Sequence, residues 1–91
     1  MTVREVSGVE KPVIAYAEKQ GFLYRKLGWI GRRGAPDRLF SRSDTGPFLV
    51  EFKRPGKTPD KLQEREIARL RKAGMTVHVI DNAEAGFALF D

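Results

Sequence analysis

Ninety-one residues without a cysteine, carrying 17 Lys and Arg against 12 Asp and Glu, suffice for one domain near the small end of what folds unaided. No disulfide or cysteine-ligated zinc can staple such a chain, and thiolate chemistry is excluded. A net charge of +5 and a pI near 9.9 favour an acidic partner, nucleic acid being the commonest. No apolar run approaches the roughly 18 residues of a membrane span, and the first residues lack the apolar stretch of a signal peptide. The expectation is a single soluble, cytoplasmic domain over residues 1–91.

In chain order, Val9, Val13, Ile14 and Ala17 recur at helical spacing after Ser7, and Gly21 closes that helix. Pro12 is awkward for a start at Ser7, which leaves open a start a few residues later. Residues 22–27 read as a strand, followed by a glycine-rich basic loop over 28–34. Residues 37–41 and 48–53 read as the two strands of a hairpin turning around 43–47. Thr58-Pro59-Asp60 opens a second helix, with Thr as N-cap and Pro at the first helical position. Arg69, Arg71 and Lys72 ahead of Gly74 close it. Residues 76–80 form a short strand and 83–90 a final short helix. The predicted order is α-β-β-β-α-β-α, an α/β fold with a central mixed β-sheet flanked by helices.

The informative residues break the pattern. At 100° per residue, Glu10 falls within the apolar arc of the first helix. On the second helix the stripe of Leu62, Ile67, Leu70 and Ala73 encloses Gln63 and also takes in Glu66. A carboxylate or amide facing a core is costly unless something there pairs with it. Glu10 could instead complete a capping box with Ser7, and Gln63 could face solvent. Glu66 reads as an outer group of a site or as half of a surface salt bridge. His78 reads as structural.

The hairpin offers partners. Leu49, Glu51 and Lys53 point one way while Phe48, Val50 and Phe52 point the other. A turn centred near Thr45 puts Asp37 opposite Lys53 and diagonal to Glu51, close enough for both carboxylates to ligate one hard divalent cation. Mg²⁺ suits oxygen ligands best. Lys53 would orient or deprotonate an attacking water or balance charge on a phosphorane. Glu10 would hold a metal-bound water or a second ion, and Gln63 would position Lys53 or the nucleophile. A single His excludes paired-histidine chemistry, and the lack of GxxxxGK[ST] argues against a nucleotide cofactor.

Gly34-Ala35-Pro36-Asp37, thirteen residues, then Glu51-Phe52-Lys53 resembles the signature of the PD-(D/E)XK nucleases. With Glu10 in the first helix and Gln63 in the second, the chain is similar to the VRR-NUC (virus-type replication-repair nuclease) branch, as a standalone minimal member. The resemblance implies a restriction-endonuclease-like core and metal-dependent (Mg²⁺ or Mn²⁺) hydrolysis of DNA phosphodiesters. Asp37 and Glu51 would be metal ligands with the backbone carbonyl of Phe52 and with Glu10, directly or through water. Lys53 would be the catalytic lysine and Gln63 would complete the site. It further implies a homodimer acting on branched DNA such as four-way (Holliday) junctions, in a bacterial cell or phage-infected host. Arg32, Arg33, Arg54 and Lys57 are the candidates for gripping phosphates, and Trp29 for a loop anchor or a wedge. Phe87, Leu89 and Phe90 are candidates either for a dimer interface or for the core. Two other functions fit the same residues: a less selective flap or nicking nuclease, and a DNA-binding accessory module with a structural metal.

Overall fold

The computed structural model describes residues 6–91, with seven elements in the expected order. These are α1 (Val6–Lys19), β1 (Leu23–Lys26), β2 (Arg38–Arg42), β3 (Gly46–Phe52), α2 (Lys61–Lys72), β4 (Val77–Ile80) and α3 (Ala83–Phe90). The sheet runs β1-β2-β3-β4, antiparallel until β4, which pairs parallel to β3. A parallel neighbour needs a crossover, and α2 supplies it.

Period-two alternation in β3 divides the interior into two layers. Phe48, Val50 and Phe52 face α1 and α3, joining Val9, Val13, Ala17, Phe22, Phe40, Ile80 and Phe90. Leu49 faces α2 and clusters with Ile67 and Val77, flanked by Leu27, Trp29, Leu39, Leu70 and Val79. The C-terminal residues resolve toward the core: Phe90 is fully buried, and Phe87 and Leu89 pack against the same cluster. His78 also lies on that side, its ring edge-on to Phe48. Among the described residues, no helix is long and apolar enough to cross a membrane.

Local expectations are corrected in three places: α1, α2 and the β2–β3 hairpin. Helix α1 runs through Pro12. The carbonyl that proline leaves unpartnered is that of Gly8, and both residues are exposed, so water can serve it. Ser7 therefore lies inside the helix and not at its cap. Helix α2 is capped by Asp60 in place of Thr58: the Asp60 carboxylate accepts from the Gln63 N–H at 2.9 Å while Gln63 Oε1 accepts from the Asp60 N–H at 3.1 Å, a capping box. The buried side of α2 is centred on Glu66 and Ile67, and Leu62 at the rim is exposed.

The third correction concerns register. Arg42 pairs with Gly46, so the loop holds three residues and Gly46 takes the left-handed conformation (φ +71°) that ends such turns. The centre of the turn therefore lies at Asp44, one residue before the expected position. Arg38 pairs with Val50, and the next pair outward sets Asp37 directly opposite Glu51 instead of Lys53.

Helices α1 and α3 meet at Gly86, where a Cβ would stand 2.4 Å from one Val13 methyl and 2.8 Å from the other. Alanine is the better helix former by about 1 kcal/mol, yet overpacking costs about 1–3 kcal/mol. Gly86→Ala is therefore expected to lower Tm in a thermal melt, and adding Val13→Ala should cost less than the two changes summed. An unchanged or raised Tm for Gly86→Ala would contradict this packing.

Candidate active site

The site lies where β2 begins and β3 ends, on the α2 face of the sheet. Glu51, opposite Asp37, shares that face with Leu49, and Lys53 follows two residues on. The Lys53 N–H donates to the Ile80 carbonyl at 2.8 Å, which extends the β3–β4 ladder past the last strand residue and holds the Lys53 backbone in line. The Lys53 ammonium donates to Gln63 Oε1 at 2.6 Å and stands 3.5 Å from Glu51 Oε2. Gln63 Nε2 donates to the same Glu51 oxygen at 3.2 Å. The side chain that closes the α2 capping box thus also ties Lys53 to Glu51. Because its Oε1 is fixed by the Asp60 N–H, Gln63 can offer only Nε2 toward the carboxylate.

Gly34 explains how the Asp37 strand approaches Gln63. It adopts φ +78°, and a Cβ there would meet the Gln63 N and Cα at 3.1 Å each. Backbone cannot yield as a side chain can, so only glycine permits this contact. Pro36 has a separate effect. The N–H groups of Leu49 and Lys53 donate to β4 carbonyls, of Thr76 and Ile80, so odd-numbered residues of β3 turn their backbone groups to β4 and even-numbered ones to β2. The Phe52 carbonyl is therefore aimed toward the β2 side, opposite Pro36. That residue has no N–H to offer, and its own carbonyl accepts from Trp29 Nε1 at 2.8 Å. Pro36 therefore offers the Phe52 oxygen no ladder N–H.

Sequence reasoning missed Arg38. It alternates with Asp37 and so shares the α1 face with Phe40, where its side chain is 10% exposed. Its Nη2 donates to Glu10 Oε2 at 3.3 Å. Its Nη1 stands 2.8 Å from Asp37 Oδ1, a charge contact whose angle does not make a hydrogen bond. Neither Nη1 nor Nε has a hydrogen-bond acceptor among the described residues. The misplaced carboxylate of α1 thus answers a misplaced guanidinium of β2, and the period-two test already applied to β3 would have found it.

Among the described residues, no three His, Cys, Asp or Glu side chains are grouped closely enough to hold a metal together. Asp37 and Glu51 face each other, whereas Glu10 is engaged by Arg38. Glu66 pairs with Arg69 at 2.8 Å, but its carboxylate is buried and not at the surface as expected. Trp29 is half-buried and held by Pro36, an anchor and not a free wedge. Arg32, Arg33, Arg54 and Lys57 are all exposed, on the two loops that lead into Asp37 and out of Lys53.

Burial raises the Glu51 carboxyl above its usual range; Lys53 opposes this and the nearby Asp37 charge adds to it. A carboxyl raised on folding stabilises the fold while protonated, and that contribution is lost as pH climbs from the unfolded value of 4.5 through the folded one. Glu51→Gln, measured in EDTA, is therefore expected to melt above wild type at pH 7, with the gap closing below pH 4.5. An equal or lower Tm at pH 7 would show that the ionised carboxylate carries no burial cost.

No protein-family model matches the chain. It is 39% identical over 82 residues to "Putative nuclease p44" of Acyrthosiphon pisum secondary endosymbiont phage 1, an alignment spanning 90% of this chain and 87% of that protein. A solved structure described as a VRR_NUC domain superposes with a TM-score of 0.73 at 38% identity, covering 88% of this chain and 91% of that one. The fold, the order of its elements and these two likenesses agree: the chain belongs to the VRR-NUC family of nucleases.

Proposed function

We propose that the chain is a divalent-metal-dependent DNA endonuclease that nicks branched DNA, four-way junctions above all, as a homodimer in the cytoplasm of a bacterial or phage-infected cell. The observation that carries this reading is the β2–β3 register, whose extension one step past the Arg38–Val50 pair brings Asp37 opposite Glu51, with Lys53 and Gln63 joined to the same carboxylate.

The donor set fits a hard cation. Two carboxylates and a backbone carbonyl opposite Pro36, that of Phe52, are what Mg²⁺ or Mn²⁺ takes while keeping several waters, so a third carboxylate is not required. When bound, the ion would supply polarisation of a phosphoryl oxygen and neutralise charge on the leaving oxygen. Lys53, held by Gln63, orients the attacking water by donating to it and balances charge on the phosphorane. Arg38 positions Asp37 from behind, and Glu10 acts through Arg38 or through a water. Arg32, Arg33, Arg54 and Lys57 grip phosphates on both sides of the cut, without reading bases. Two copies suit a four-way junction because it is two-fold symmetric and is resolved by two symmetric nicks.

End-labelled four-way junction, flap and linear duplex, each with Mg²⁺, Mn²⁺ or EDTA, test the proposal. Wild type is expected to make paired nicks on the junction with either metal and none in EDTA, and to sediment as a dimer at micromolar concentration. Asp37→Asn and Lys53→Met should each lower the rate by at least about a hundredfold while still binding DNA. Equal cutting of all three substrates would leave a general nuclease, and no metal-dependent cutting would overturn the enzyme reading.

A further inference from the structure

The loop over residues 28–36 is fastened at three points and leaves one large apolar side chain standing in water. The Leu27 N–H donates to the Asp37 carbonyl at 2.8 Å and closes its neck. Trp29 is tied to Pro36 and packs with the cluster of Leu49, Ile67 and Val77. Gly34 is pressed against the start of α2. Ile30, next to the Trp29 anchor, is 102% exposed and is followed by Gly31 in the left-handed conformation (φ +76°) and by the exposed pair Arg32 and Arg33. Residues 28–36 contain no acidic side chain.

A single exposed apolar residue is ordinary on a protein surface. Two things set Ile30 apart: the loop that presents it is anchored and carries Arg32 and Arg33 as its only charged side chains, and its place is close to the site. Three chain steps separate it from Leu27, which is bonded to Asp37. Full extension of that chain keeps Ile30 Cα within about 15 Å of Asp37 Cα, or roughly four nucleotide steps.

We propose that Ile30 is a wedge that enters an opened base step beside the cut and gives the nuclease its preference for branched over continuous DNA. This rests on the DNA-nuclease reading above. Arg32 and Arg33 supply charge for the flanking phosphates, and apolar side chains inserted between base pairs are an established way to hold a deformed duplex. Burying an isoleucine favours binding by a factor on the order of ten to a hundred. Unstacking an intact base step costs a comparable factor or more. The wedge therefore gains little on unbroken duplex, and its full benefit appears where a branch has already opened the step.

The test needs binding only. A four-way junction carrying 2-aminopurine at the branch point, and a matched linear duplex, are titrated in EDTA with wild type, Ile30→Leu and Ile30→Ser. Wild type and Ile30→Leu should raise the 2-aminopurine fluorescence of the junction. Ile30→Ser should lose most of that rise and bind the junction about tenfold more weakly, with duplex affinity and Tm unchanged. An undiminished rise in Ile30→Ser, no rise with wild type, or equal loss of affinity for junction and duplex would overturn the wedge. So would an altered sedimentation of Ile30→Ser with junction binding intact, which would make Ile30 a protein contact. Because no metal is present, a failure of wild type to cleave DNA would count against the nuclease reading without touching this result.

Discussion

Arg38 stands opposite Val50 because a three-residue loop ends on Gly46 in a left-handed conformation, and the site depends on that register. One step outward along the same ladder, Asp37 meets Glu51 with both side chains on the α2 face. A slip of one residue would reverse the faces, burying Asp37 against the aromatic cluster and turning Arg38 toward Gln63. The apolar alternation of Phe48, Val50 and Phe52 against Leu49 guards against such a slip, since it would expose the larger of the two cores. The packing that stabilises the sheet is thus also what aligns the two carboxylates.

Around that alignment the polar groups form two connected sets. Glu10, Arg38 and Asp37 form one, threaded through the sheet from α1 to the site. Glu51, Gln63 and Lys53 form the other, fastened to the capping box of α2. Removing one partner of a buried ion pair is generally far more harmful than replacing both, so Arg38 and Glu10 each constrain the other. The arrangement is not optimal for stability: Glu51 is held where burial disfavours its charge, and two Arg38 nitrogens lack hydrogen-bond acceptors. Local rules broken in this way are expected at functional or strained sites, which is consistent with the proposed metal site.

Much of this was legible in the sequence because it rests on periodicity and turn chemistry. The seven elements and their order followed from glycine stops, basic last turns and alternating strands, and Gln63 stood out because it interrupts an apolar stripe. What escaped depended on tertiary detail. The N-cap of α2 fell to Asp60 because its carboxylate reaches the Gln63 N–H, a competition that Thr58-Pro59-Asp60 does not decide by itself. The turn centre depended on which residue of the Thr45-Gly46 pair takes positive φ. Leu62 looked like core on a helical wheel, but the buried side of α2 is centred on Glu66 and Ile67. The role of Arg38 was invisible until its own alternation with Asp37 was set beside that of Glu10. The roles of Gly34 and Pro36 are likewise spatial: one lets two backbones touch, and the other offers the Phe52 carbonyl no N–H.

In the proposed mechanism Asp37 and Glu51 together hold one divalent cation where β2 meets the end of β3. The most direct measurement is a Mn²⁺ titration followed by the electron paramagnetic resonance signal of the free ion, with wild type, Asp37→Asn and Glu51→Gln compared after circular dichroism has shown each to be folded. Wild type is expected to show a single saturable site, weakened at least about tenfold in each variant. Wild-type binding that either variant leaves unchanged, or no saturable binding in wild type, would contradict it.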